Sequence, residues 1–368
     1  MKIVKLFLIV AVVFVTFGCL TPSQADTKFV PANDPNIVYT GCVNQQFVAD
    51  PDSPQRVISR FDRQFDIPGK GYRWDNPGAS IRFRTDAALV VAHLYYSSLH
   101  TSASARNSKG VYSVDGAFGP SWTFQTQQSK VLREPETVNV TLSNGIKSGV
   151  HDYEIYLPYG DSVDFAGLDI SDGATLVPTK PKSMVRYVAY GDSITHGFSA
   201  TSVDKTYAFQ VAKAKGWSLV NLGLGGRASN VPDGRLIGSL PADVITVLIG
   251  VNDWQAGAKL EQTQKNVSGF LNAVRVAHPT TPIYVITPLW VAPSWKPAGA
   301  TIDLESYRQV LREIVAARND ANLHVIEGPS LIDHIATLFD VVAVHPNDAG
   351  LTMMAERLVQ SISAVSPH

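Results

Sequence analysis

Four short segments of this 368-residue chain hold the residue types that acyl chemistry needs. The first is Gly191-Asp192-Ser193, between an apolar run at 187–190 and a helix-like start. A serine there presents its hydroxyl at the mouth of a sheet, and its own N–H points at the oxygen that the hydroxyl's attack charges. It is not the Gly-x-Ser-x-Gly elbow, because Thr195 stands where the second glycine belongs. Alone, Gly-Asp-Ser also describes a turn serine capping a helix. The second segment is Asn221-Leu222-Gly223-Leu224-Gly225-Gly226-Arg227. It approaches the dinucleotide fingerprint, but that motif needs an acid ending the next strand, and Asp243 precedes the strand instead. Its glycines suit a loop whose backbone N–H approaches a substrate. The third, Ile249-Gly250-Val251-Asn252-Asp253-Trp254, places an asparagine where its amide NH₂ can meet an oxyanion, although an Asn-Asp pair also makes an ordinary turn. The fourth, Val344-His345-Pro346-Asn347, offers a base for the serine.

These segments must be carried by a scaffold that gathers them. Strand-like apolar runs at 185–190, 218–222, 244–249, 283–286 and 324–326 alternate with helical periodicity at 259–276, 304–317 and 349–362. That alternation predicts a parallel sheet covered on both faces, with ligands at the carboxyl ends of its strands. Upstream, 36–172 reads as β. Ile81-Arg82-Phe83-Arg84, 138–142, 153–157 and 163–165 alternate with period two between turn signals such as Asn76-Pro77-Gly78 and Ser143-Asn144-Gly145. Short antiparallel strands predict a sandwich or jelly roll. The expected organisation is an all-β domain over 26–175, a Pro/Lys linker at 176–183 and an α/β domain over 184–368.

The remaining composition removes whole classes. Hydrophobic residues make up 45% of the chain, so a disordered chain is excluded. Lys and Arg number 31 against 32 Asp and Glu, which leaves no basic excess to hold nucleic acid. Two cysteines cannot build a disulfide scaffold or a four-cysteine zinc site. Residues 1–25, with Lys2, Lys5 and an apolar run at 6–17, read as a secretory signal rather than a transmembrane anchor. Gly18-Cys19 admits a lipidated variant, the one route to a membrane, and the other expectation is a secreted or periplasmic protein. Cys42 is then the one cysteine of the folded part, a small hydrophobe by default.

Together, the four ordered segments resemble the signature of the SGNH hydrolases, or GDSL esterases, over roughly residues 184–365. The resemblance implies a flavodoxin-like parallel sheet, a nucleophile at Ser193, a base at His345, and oxyanion donors at the Ser193 N–H, the Gly226 N–H and the Asn252 side chain. It implies no cofactor, and no metal-ligand spacing is found in the sequence. The family usually places an aspartate three residues before its histidine. Here that position is Val342. Asp340 is the nearest upstream acid, with Asp333 and Asp348 as further candidates, and a backbone carbonyl is the alternative partner for His345. A β-sandwich before such a domain is similar to carbohydrate esterase family 2, an N-terminal jelly roll joined to an SGNH domain, whose third triad member varies. That similarity implies a serine esterase removing O-acetyl or other short acyl groups from polysaccharides or oligosaccharides. Trp254, Trp290 and Trp295 are candidate sugar-stacking rings, and Arg227 a candidate substrate ligand. The same site also suits lipid-ester or thioester hydrolysis or acyl transfer. A different class is a carbohydrate-binding protein with an inactive hydrolase domain.

Overall fold

A computed structural model describes residues 26–363, apart from 68–69, 101, 103, 106–107, 125–134, 180–183 and 342–343. The signal segment with Cys19, and Val342, therefore lie outside the described residues.

The β region forms two antiparallel sheets. One contains Asn44–Asp50, Ser53–Asp62, Ser162–Ser171, Leu89–Ser98 and Glu136–Asn144 in that spatial order, with Thr27–Pro31 also pairing to Ser162–Ser171. The other runs Leu176–Val177, Ser80–Thr85, His151–Tyr156, Val111–Val114 and Ala117–Phe118, with Val38–Thr40 also on Ser80–Thr85. Period-two alternation puts Ile81, Phe83, Tyr153 and Ile155 of the second sheet into one core with Ala92, Leu94, Val163 and Phe165 of the first. Leu176–Val177, expected in the linker, instead adds an antiparallel pairing to Thr85 and Arg84. Its two apolar side chains continue the sheet, so the irregular segment starts later than the prolines suggested.

The α/β region carries five parallel strands in the order Ser218–Gly223, Arg186–Gly191, Val244–Leu248, Ile283–Ile286, Leu323–Ile326. This 2-1-3-4-5 order is the flavodoxin-like one. The inner strands are buried along their length, as a parallel sheet with two covered faces requires. Helices Leu260–Ala277, Leu304–Ala316 and Asp348–Ser361 fall within two residues of their predicted bounds. Sequence periodicity missed helices Tyr207–Lys215 and Val231–Gly238. The first is short and buried on more than one side. The second carries Pro232 and Gly234, which blur a helical pattern.

The two regions share a core. Ala105, Val111, Tyr156 and Tyr159 of the β part pack in one apolar cluster with Ile194, Phe198, Val203 and Phe209 of the α/β part. Phe65 and Tyr72 join a second such cluster with Tyr190 and Leu224. Fully buried Arg63 reinforces the join by donating to the carbonyls of Asn221 and Gly223, at 3.2 and 2.5 Å. Those carbonyls end the strand that leads into the glycine loop. No helix among the described residues is long and apolar enough to cross a membrane.

Candidate active site

The loop after Arg186–Gly191 sets the serine. Asp192 caps the four-residue helical turn Ser193–His196, its side chain accepting the Ile194 N–H at 2.9 Å. A Cβ on Gly191 would collide with Thr195 and the Leu248 carbonyl, so only glycine lets this turn seat against the neighbouring strand. Ser193 is thereby held at the carboxyl edge of the sheet.

His345 reaches the serine from the loop before the last helix. Its Nε2 lies 2.9 Å from Ser193 Oγ, and its Nδ1 lies 3.1 Å from Asp340 Oδ2. The loop is closed by a bridge between Phe339 and Pro346, and the Asp340 N–H donates to the His345 carbonyl at 2.8 Å. That closure brings an acid five residues upstream onto the imidazole, the carboxylate option of the two left open by sequence. The other two acids are engaged elsewhere. Asp333 pairs with Arg357 at 2.7 Å, and Asp348 accepts from the Thr201 N–H and hydroxyl.

Sequence reasoning missed Ser199. Its hydroxyl donates to Asp340 Oδ2 at 2.8 Å, and its backbone sits in the left-handed region, φ 71°. No residue-type signal marks it, because the bond spans 141 positions. Burial pushes the Asp340 carboxyl up, but the hydrogen bonds from His345 and Ser199 prevail and hold it below the ordinary carboxylate range. Asp340 is therefore ionised at neutral pH.

Gly226 and Asn252 share the crevice with Ser193. Gly226 has φ 81°, a conformation glycine adopts without steric cost. The Asn252 amide donates one hydrogen to the Arg227 carbonyl at 3.1 Å, which fixes its orientation toward the glycine loop. An asparagine amide carries two N–H donors, so one remains for a ligand. Ser193, Gly226, Asn252, His345 and Trp295 all line one crevice of about 810 Å³.

Three other predicted substrate residues are placed away from it. Arg227 is tied to Asp233 at 2.6 Å and lies 5.0 Å over the Phe65 ring, so its charge is spent inside the fold. Trp254 is 6% exposed, donates its indole N–H to the Ile302 carbonyl at 2.8 Å, and packs behind Trp295 with ring centroids 5.4 Å apart. Trp290 stacks on His334 at 5.3 Å and contacts Phe339 at 5.4 Å. It buttresses the Asp340 loop rather than the crevice. Of the four predicted substrate residues, the structure thus brings Trp295 to the crevice and places Trp254, Trp290 and Arg227 elsewhere. Asp233 takes up the Arg227 charge, the Ile302 carbonyl takes the Trp254 indole N–H, and the Trp290 ring is covered by His334 and Phe339.

The β part supplies crevice residues that the sequence did not single out: Lys70, Tyr72 and Ser102. Just behind them lies a buried trio, Asp75, His100 and His196, whose ligand-type atoms lie within 4.8 Å of one another. Spatial clustering of three such distant residues could not be read from spacing. The hydrogen bonds argue against a cation there. His196 Nε2 is 2.6 Å from the Tyr159 carbonyl and must carry its proton. His100 Nδ1 accepts the Ser102 N–H at 2.9 Å, which leaves the proton on Nε2. Both nitrogens facing Asp75, at 3.4 and 3.5 Å, are thus N–H groups, without a lone pair for a metal.

Asp192 has an environment opposite to that of Asp340. Complete burial raises its carboxyl to about 7, against the partial relief given by the Ile194 N–H and nearby His345. A folded-state value above the unfolded ~3.9 makes the protonated form the stabilising one. That contribution is complete below the unfolded value and is lost as pH rises through about 7. Asp192→Asn keeps a good cap and cannot ionise. Its melting temperature relative to wild type should therefore rise between pH 5 and pH 8, as read by thermal unfolding. Parallel curves for the two proteins would refute the assignment.

Residues 189–352, most of the α/β part, match the model of the GDSL-like Lipase/Acylhydrolase family. Among solved structures, the whole fold is similar to a salicylyl-acyltransferase from a tetracycline biosynthetic pathway. The identity is 22%, the match covers 92% of this chain and 99% of that one, and the TM-score is 0.74. A putative GDSL-like lipase from Bacteroides ovatus gives 18% identity, 93% and 100% coverage, and a TM-score of 0.72. A family two carbohydrate esterase from Clostridium thermocellum in complex with cellohexaose gives 17%, 89% and 98%, and 0.64. No curated protein sequence matches the chain.

Proposed function

We propose that this protein is a secreted serine esterase that removes O-acetyl or other short acyl groups from polysaccharides or oligosaccharides. The observation that carries the reading is the Ser193–His345–Asp340 chain of contacts, 2.9 and 3.1 Å, facing a crevice shared with Gly226 and Asn252. In the proposed cycle His345 Nε2 takes the Ser193 proton as Oγ attacks the ester carbonyl carbon. Asp340 holds the imidazole tautomer and balances the imidazolium. The tetrahedral oxyanion rests on the Ser193 and Gly226 N–H groups and the Asn252 amide. The C–O bond to the alcohol breaks, and the alcohol leaves with the proton from His345. Water, deprotonated by His345, then attacks the acyl-serine, releasing the carboxylic acid and restoring Ser193.

The saccharide side of the reading draws on likeness of fold to the family two carbohydrate esterases, and on a crevice wall that combines Trp295 with hydroxyl groups. Export follows from the leader-like residues 1–25, with lipid anchoring through Cys19 as the variant. The test is acetate release from acetylated xylan and acetylated glucomannan beside a 4-nitrophenyl ester series of rising acyl length. Release from the polysaccharides is expected. Turnover confined to long acyl chains would move the reading to lipid esters. Acetylated product in place of free acetate would move it to acyl transfer.

The Asn252 role has its own signature. Asn252→Ala should lower kcat by about 10²–10³-fold with a smaller change in KM, since the donor acts on charge that exists only at the transition state. Steady-state kinetics on 4-nitrophenyl acetate reads this, and a change carried by KM alone would contradict it.

A further inference from the structure

The crevice has two chemically different walls, one from each part of the chain. Besides the polar groups Ser193, Asn252, Gln255 and His345, the α/β part contributes apolar ones, among them Val251, Ala256, Trp295 and Val344. The β part contributes Lys70, Tyr72 and Ser102, all polar. An acyl methyl suits the first wall and a polyhydroxylated alcohol the second. Resting on the deacylase reading above, we infer that the β part forms the subsite for the leaving saccharide, and that the Tyr72 hydroxyl is its specificity-determining hydrogen-bonding group.

Tyr72 is built as a fixed group. It opens the short 3-10 turn Tyr72–Trp74, and its backbone N–H donates to Asp66 Oδ1 at 3.0 Å. Its ring stacks on His100 with centroids 4.7 Å apart and planes 14° apart. The His196 ring meets it edge-on at 5.6 Å. His100 is itself held, by the Ser102 N–H on Nδ1 and by Asp75 near Nε2. The phenol ring therefore cannot swing, and the residue is 4% exposed.

The hydroxyl is the part left over. It has no protein partner among the described residues, yet it is not one of the enclosed polar atoms, and Tyr72 lines the crevice. A fixed hydroxyl that costs no ordering on binding is what discriminates a hydroxylated ligand from an apolar one. Burial, then Asp75 and Asp66, raise the phenol above its ordinary range, so it stays a proton donor throughout the working pH range.

His196 links this wall to the nucleophile. It ends the turn that Ser193 begins, and its Nε2–H bonds the Tyr159 carbonyl of the β part. The saccharide wall and Ser193 thus belong to one rigid unit. This accounts for a polar knot buried where an apolar contact would serve packing alone.

The test compares Tyr72→Phe with wild type on two substrates, both read as acetate release. One is a mixture of acetylated xylo- and glucomanno-oligosaccharides. The other is ethyl acetate, whose alcohol is too small to reach the β wall. The ratio of kcat/KM, oligosaccharide over ethyl acetate, should fall about 5–10-fold in Tyr72→Phe, the usual range for one hydrogen bond to a neutral partner. A ratio within twofold of wild type overturns the subsite, including the case where both substrates slow together and Tm drops. If wild type cleaves ethyl acetate and no acetylated oligosaccharide, the deacylase reading fails and the subsite with it. If it cleaves the oligosaccharides and the ratio holds, the subsite alone fails.

Discussion

Ser193→Ala should reduce kcat/KM for acetate release by about 10⁴–10⁶-fold while the protein stays folded. The hydroxyl bonds His345 Nε2 at the crevice, so its removal strands no enclosed group. The backbone N–H of residue 193, the cap from Asp192 and the crevice wall all remain. Residual turnover would reflect oxyanion stabilisation and binding alone, worth about 10³–10⁴ over water in serine hydrolases. Circular dichroism and Tm of the variant control for folding. Measurable acetate release at a tenth of the wild-type rate would remove Ser193 as nucleophile. Saccharide binding without turnover, unaffected by Ser193→Ala, would instead support a carbohydrate-binding protein with a silent hydrolase domain.

Asp340→Asn should lower kcat by up to about 10⁴-fold, with KM little altered. The carboxylate accepts from both His345 Nδ1 and the Ser199 hydroxyl. An amide there can turn its NH₂ toward Nδ1, which selects the tautomer with the proton on Nε2. That imidazole cannot take the serine proton. A loss below tenfold would instead favour a Ser–His dyad whose Nδ1–H is satisfied by a backbone carbonyl. Stability responds with a defined sign. The Asp340 carboxyl is held below its ordinary range, so its contribution is present above the unfolded ~3.9 and lost as pH falls through the depressed value. Asp340→Asn should therefore lose stability at pH 7 and approach wild type in strong acid. Asp192, shifted the other way, works in the opposite direction above pH 4.

Much of the fold was legible along the chain because it obeys local rules. Strands 283–286 and the long amphipathic helices have periods that survive without tertiary context. The same is true of Ser193, Gly226, Asn252 and His345. Each sits at a strand end or helix start, where a turn residue and a reactive residue adjoin, and the topology brings strand ends to one edge. Helix Val231–Gly238 and the strand Asn44–Asp50 were not legible. One has helix-weakening residues, and the other is a mostly polar edge strand without alternation.

By itself, then, the sequence determined the two-part architecture, the order of the four segments and which serine, glycine, asparagine and histidine come to one crevice. Those are properties of short segments and of hydrophobic period. Only the tertiary structure decided which acid meets His345, since Asp340, Asp333 and Asp348 differ in loop closure and not in residue type. It also decided which aromatic reaches the crevice. A tryptophan in a loop carries no mark of which way it faces, and Trp254 and Trp290 were taken up by Ile302, His334 and Phe339. Finally, it brought Tyr72, Ser102 and the Asp75–His100–His196 knot against the hydrolase domain. Contacts between residues a hundred positions apart are chosen by packing of whole surfaces, which no local pattern encodes.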